Sequence, residues 1–161
     1  MLKSEFIMAP HPFLTGLCEH QLKLLAEWAH RVHFRKGSYI FREGELANRF
    51  YLIQHGAVAI ESAADDSAPV VLQTLSDGDV LGWSWLFPPY AWHFDARAVE
   101  ETDAIFLPGL RLRELCETDH ALGFEVMKRI SRLVIQRLQA ARLQLATHAR
   151  PEGDGLPVRL A

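Results

Sequence analysis

Cysteine is nearly missing from this chain. Cys18 and Cys116 are the only two in 161 residues, and each falls within a predicted helix. Reduced thiols in a cytoplasmic setting are the expectation, a single disulfide being the alternative. Long apolar runs are missing too: nothing approaches the roughly 18 residues a membrane span needs. The opening segment, MLKSEFIMAPHPF, has no apolar h-region, so no secretory signal is expected. Gly-x-Ser-x-Gly, a phosphate-binding Gly-Lys-Ser/Thr loop and a Cys/His nucleophile pattern do not occur. The eight histidines are scattered. Only His30-x-x-His33 is close, a weak metal pattern, so no metal ligand and no catalytic residue is assigned and the chain is not expected to be an enzyme.

Positive charge is scarce in the body of the chain. Residues 1–119 carry 10 Lys/Arg against 17 Asp/Glu, whereas residues 120–161 carry 7 against 3. An acidic body has no electrostatic reason to seek nucleic acid. The basic positions Lys128, Arg129, Arg132, Arg137 and Arg142 leave an opening for an acidic partner, a solvated helix face being the commoner explanation.

What is present is globular. Hydrophobic residues make up 49% and the mean hydropathy is close to zero, which fits one ordinary domain with a real core. Its most distinctive stretch is Gly78–Val99, GDVLGWSWLFPPYAWHFDARAV. Six of the sixteen aromatics fall in the twelve positions from Trp83 to Phe94. Val80-Leu81 opens a strand, Gly82 marks a left-handed turn or a close backbone approach, and Pro88-Pro89 stops any helix after about one turn. An excursion walled by Trp83, Trp85, Tyr90, Trp92 and Phe94 is a candidate pocket wall; rings plugging the end of a barrel are the alternative.

Around it, residues 1–16 read as an irregular arm and Leu17–His30 as a helix. The period then changes to two. Short strands are expected at Arg31–Phe34, Ser38–Phe41, Arg49–Gln54, Ala57–Ser62 and Val70–Leu75, then around Val80-Leu81, after the excursion, and at Thr102–Leu107. Ala63–Pro69 is a loop by composition. About eight strands with glycine turns predict a closed or double-sheet antiparallel roll, mainly β with flanking helices. Leu110–Thr118 is a short helix and His120–His148 a long one. The long helix carries the stripe Leu122, Val126, Ile130, Val134, Leu138, Ala141 and Leu145. Something must cover that stripe, and homodimerisation through Ile130, Val134, Leu138, Ala141 and Leu145 is the simplest solution. Residues 149–161 are a Pro/Gly-rich tail, leaving 17–148 as the domain.

This order of elements resembles the cyclic nucleotide-binding domain of catabolite-activator-like (Crp/Fnr-type) regulators and kinase regulatory subunits. The residues that carry the resemblance are Phe41-x-x-Gly44, Phe50-Tyr51-Leu52-Ile53-x-x-Gly56-x-Val58 and Leu75-x-x-Gly78-Asp79-Val80-Leu81-Gly82, and the likeness runs from about Leu14 to Ala146. It implies a double-stranded β-helix (jelly-roll) fold and a ligand cassette beginning at Gly82. In the family's usual form a Glu follows that glycine and holds the ribose, and an Arg after a short helix pairs with the cyclic phosphate. Here Trp83 stands at the Glu position, and the Arg position falls at Ala91, Trp92 or His93. A buried phosphate without a cation is costly.

The expected pocket therefore comprises Gly82, Trp83, Ser84, Trp85, Tyr90, Trp92, His93 and Phe94, with Arg97 and Arg49 as candidate anion contacts. By two-residue alternation Arg97 shares a face with Asp95 and His93, where an outward salt-bridged arginine is the simpler reading. The expectation is a stand-alone regulatory sensor that does not bind cyclic AMP in the usual way. No cofactor is fixed; a cyclic nucleotide or another small-molecule effector is the candidate. Alternatives are a genuine cyclic nucleotide receptor with a non-standard pocket, a small-molecule or haem-type sensor using His93, and a metal-dependent roll enzyme. Only about a dozen residues follow the last predicted helix, too few for a winged helix-turn-helix, so no DNA-binding domain is expected.

Overall fold

The computed structural model describes residues 11–62 and 68–149. The first ten residues of the expected arm, most of the expected loop at 63–69 and the tail beyond Ala149 lie outside the described residues.

Eight strands form two antiparallel four-stranded sheets. They are β1 (His30–Phe34), β2 (Tyr39–Phe41), β3 (Arg49–His55), β4 (Val58–Ser62), β5 (Val70–Leu75), β6 (Val80–Leu81), β7 (Asp95–Ala98) and β8 (Thr102–Pro108). One sheet has the order β1-β8-β3-β6, the other β2-β7-β4-β5. Three helices flank them: α1 (Glu19–Ala26), α2 (Gly109–Thr118) and α3 (His120–His148). The mainly β roll with helices before and after it is the architecture expected, and most strand boundaries agree within a residue. Helix α1 is shorter than the expected Leu17–His30. Its start is set at Cys18, whose N–H donates to the Gln21 side chain at 3.1 Å. Its end comes early because His30 is taken into β1, paired with Phe106 and stacked on its ring at 5.0 Å.

Strand β3 is the centre of the roll, buried on both faces. Tyr51 and Ile53 point into the interior, where they meet Phe41, Val58, Leu75, Leu81, Trp92 and Ala96. Phe50, on the opposite face, packs on Phe13 at 5.1 Å and Trp85 at 5.6 Å. This two-sided burial explains why Arg49–Gln54 is a near-continuous apolar run rather than an alternating one. The residues before α1 are tied to the same strand. His11 is buried, and its Nε2–H donates to the carbonyls of Ile53 at 3.1 Å and Asp79 at 3.3 Å while Nδ1 accepts from Phe13 N–H. Burial holds its pKa below the ordinary 6.5, so the ring is neutral at pH 7.

The β3–β4 hairpin turns at Gly56, with φ of 109°. A Cβ there would lie 2.5 Å from the Glu101 carbonyl oxygen, so the position needs both the left-handed backbone and the bare Cα. Residues of α3 up to Val126 belong to the compact unit of the roll, and residues from Met127 onward form a second unit. Within that second unit Ile130 is buried, while Val134, Ile135, Leu138, Leu143 and Leu145 are exposed, as is Ala141.

Candidate functional site

The excursion between β6 and β7 is held by backbone pairing, which is what places its rings. Leu46 and Ala91 form an isolated antiparallel bridge. Around it, Ala47 N–H donates to Tyr90 O at 2.7 Å, Gly44 N–H to Trp92 O at 2.8 Å and Trp92 N–H to Glu45 O at 2.9 Å. The Pro88–Pro89 peptide is cis, and Tyr90 takes a left-handed backbone, φ 54°.

This geometry sends the expected pocket rings to different places. Trp85 is fully buried on the outer side of β3, against Phe50 and Gly109, with its Nε1–H donating to Gly82 O at 3.2 Å. Trp92 turns the other way, into the roll interior, where it stacks on Phe41 with centroids 3.8 Å apart and planes 9° apart. Phe87, His93 and Phe94 are exposed, while Trp83, Ser84 and Tyr90 are half-buried. The six aromatics therefore do not wall one pocket. Gly82 is where two of these features meet. Its φ is 84°, and a Cβ on it would sit 2.5 Å from the Trp92 ring. The indole thus lies directly against the backbone that opens the excursion.

The two candidate cations also separate. Arg97 sits on the outer face of β7, opposite Ala96 and Ala98. Its Nε and Nη2 both donate to the buried Glu61 carboxylate, at 3.0 and 2.5 Å. Beside it Asp95, also buried, accepts from Glu43 N–H and pairs with Arg42 at 3.2 Å. Arg97 is thus the outward, salt-bridged arginine of the simpler reading. Arg49 instead lies on the interior face of β3, with its guanidinium 4.3 Å above the Phe106 ring. Burial is the main cause of the raised Tyr51 pKa, which Arg49 partly offsets.

Arg49 belongs to a groove of about 480 Å³ that sequence reasoning missed. Its walls come from Leu46, Tyr90, Phe106, Pro108 and Leu110, and its second cation is Arg113 of α2. That guanidinium lies 4.1 Å over the Tyr90 ring and donates to the Trp85 carbonyl. Two-residue alternation along β3 would have put Arg49 with Tyr51 and Ile53. Nothing in the sequence signals that α2 brings Arg113 to Tyr90. No group of three or more metal-ligating side chains occurs among the described residues, and none of their helices is long and apolar enough to cross a membrane.

The cyclic nucleotide-binding domain family model matches residues 31–119, more than half of the chain and all of the roll through the end of α2 except the first residue of β1. The chain belongs to this family. A Geobacter metallireducens protein assigned to cyclic nucleotide binding has a crystal structure 30% identical, with a TM-score of 0.73 over 86% of this chain and 99% of that one. The anaerobic regulatory protein of Bacillus subtilis is 28% identical over 131 residues, 80% of this chain and 54% of that protein. The regulatory subunit of a cAMP-independent protein kinase A from Trypanosoma cruzi, solved bound to guanosine, is 25% identical, with a TM-score of 0.69 over 91% of this chain and 50% of that one. The chain spans about half the length of these last two relatives.

As a member of this family of regulatory domains, the chain can be set against the cassette that the resemblance implies. Trp83 stands directly after Gly82, and Ala91, Trp92 and His93 stand before β7. Of these only Trp92 reaches the interior core, and it brings a ring and no charge.

Proposed function

We propose that this chain is a regulatory sensor domain whose roll does not hold a cyclic phosphodiester in the usual cassette geometry. One observation carries the reading: the Trp92 indole is stacked on Phe41 and seated against Gly82, in the space a ligand entering beside the cassette would need. An anion placed there would face the Phe41 and Trp92 rings with no arginine supplied by the cassette, and desolvating it without a partner costs several kcal/mol. The separate fates of Trp85 and Trp92 support the same reading, because the excursion is fixed by packing on both sides of β3.

An uncharged planar molecule fits these groups better than a phosphodiester, since it can exchange stacking on Phe41 with the indole and leaves no buried charge. The guanosine found in the Trypanosoma cruzi relative is a ligand of that kind. Isothermal titration with cyclic AMP, cyclic GMP and guanosine tests the proposal. We expect no micromolar binding of either cyclic nucleotide, and any guanosine binding to be insensitive to salt. Micromolar binding of cyclic AMP would overturn it. We further propose that the chain dimerises through the exposed apolar side chains of the second unit, Val134, Leu138, Ala141 and Leu145.

A further inference from the structure

Outside the cassette, the groove beside Arg49 and Arg113 has features that point to a ligand of its own. It has the volume of a small-molecule site. Its walls are apolar, yet two arginines line it. Neither guanidinium is paired with a carboxylate among the described residues: Arg49 lies over Phe106, and Arg113 lies over Tyr90 and bonds the Trp85 carbonyl. Three of the other arginines in this acidic body are paired with carboxylates: Arg42 with Asp95, Arg97 with Glu61 and Arg111 with Glu114.

Stacking on a ring uses the face of a guanidinium and leaves its edge of N–H donors open. Each arginine has five such donors, and the contacts above occupy only part of that edge. The rings and a neutral acceptor fix the two cations without neutralising them. The rim is apolar and open, with Leu46 66% and Leu110 56% exposed.

We propose that this groove binds a small amphiphilic anion, an aromatic or aliphatic body bearing one carboxylate or sulfonate, with Arg49 and Arg113 on the charged end and Leu46, Tyr90 and Leu110 on the apolar body. The groove adjoins the Trp92-filled interior, sharing Ala47 and Phe106 with it, while Arg113, Leu46 and Leu110 lie outside that cluster. It is formed jointly by the residues before β3, the end of β8, the start of α2 and Tyr90 of the excursion, so occupancy would be felt by the excursion backbone.

The test uses the fluorescent probe anilinonaphthalene sulfonate and its uncharged analogue N-phenylnaphthylamine on the full chain. The sulfonate is expected to bind one per chain, and Arg113→Ala and Arg49→Ala should each weaken it by about tenfold or more, as loss of a charge-assisted contact requires. Leu46→Glu should weaken it similarly by placing a like charge at the rim. The neutral analogue should be indifferent to all three changes. If Arg113→Ala fails to fold, as judged by circular dichroism, Arg49→Ala and Leu46→Glu still decide. Sulfonate affinity unchanged by these substitutions, equal binding of the neutral analogue, or competition by an acidic peptide and not by benzoate would overturn the proposal. Arg113 lines the groove and lies outside the Trp92 cluster, so running the cyclic nucleotide titration on Arg113→Ala as well as on the parent lets each proposal fail without the other.

Discussion

Gly82 shows at the residue scale how a missing side chain shapes the site. Its left-handed φ and its contact with Trp92 leave no room for a methyl group. Gly82→Ala must both strain the backbone and push the indole off Phe41, so it should lower stability by about 1–3 kcal/mol. Thermal unfolding followed by near-ultraviolet circular dichroism would show a lower Tm and a changed tryptophan signal. An unchanged Tm would mean that the indole is not held where it is drawn. The glycine and the left-handed turn were legible in the sequence. The residue it accommodates was not, because alternation cannot say which of six neighbouring rings turns inward. Cys116 is the opposite case. Its thiol is pushed up to about 11 by burial, with smaller contributions from Glu117 and Asp119, which leaves it inert at neutral pH.

Strands β1 and β8 join at the scale of elements through a charged cluster at one end. His33 is paired with Asp103 in the register, and its Nδ1 and Nε2 lie 2.8 Å from Asp103 and 2.7 Å from Glu101. Glu101 also accepts from Lys36 N–H. Hydrogen bonds to Asp103 and then Glu101 raise the His33 pKa above 6.5. A raised histidine contributes stability that is complete below pH 6.5 and is lost as the pH rises through the folded-state value. Proton NMR of the His33 ring should therefore give a midpoint above 6.5, falling toward it in Asp103→Asn. A midpoint at or below 6.5 in the parent would show that the pairs do not form in solution; because the site is exposed, the effect should also shrink in high salt. Element identity was readable here from the change of period near residue 31. The limits of α1 were not, since they depend on His30 finding Phe106 across 76 residues of chain.

For the whole molecule, the roll and its flanking helices followed from strand spacing, glycine turns and the three segments quoted above for the family resemblance, all of which lie within the residues that the family model matches. The candidate site was legible only in part. The absence of an arginine before β7 could be read directly, and so could the outward course of Arg97. The groove could not, because it joins residues 46–49, 90, 106, 108, 110 and 113, which only the folded chain brings together. Self-association belongs to this scale as well. Light scattering at micromolar concentration should give twice the chain mass, and Val134→Glu with Leu138→Glu should halve it while leaving the roll folded. A monomer in the parent protein would remove the dimer proposal.

The central claim is that the Trp92 indole fills the place of a cyclic nucleotide. It is read most directly by fluorine NMR of fluorotryptophan-labelled protein, with the Trp92 resonance assigned through Trp92→Phe. Addition of cyclic AMP to about 1 mM, where any site of micromolar affinity is saturated, should leave that resonance in place. A shift of the Trp92 signal that saturates at micromolar cyclic AMP would contradict the account.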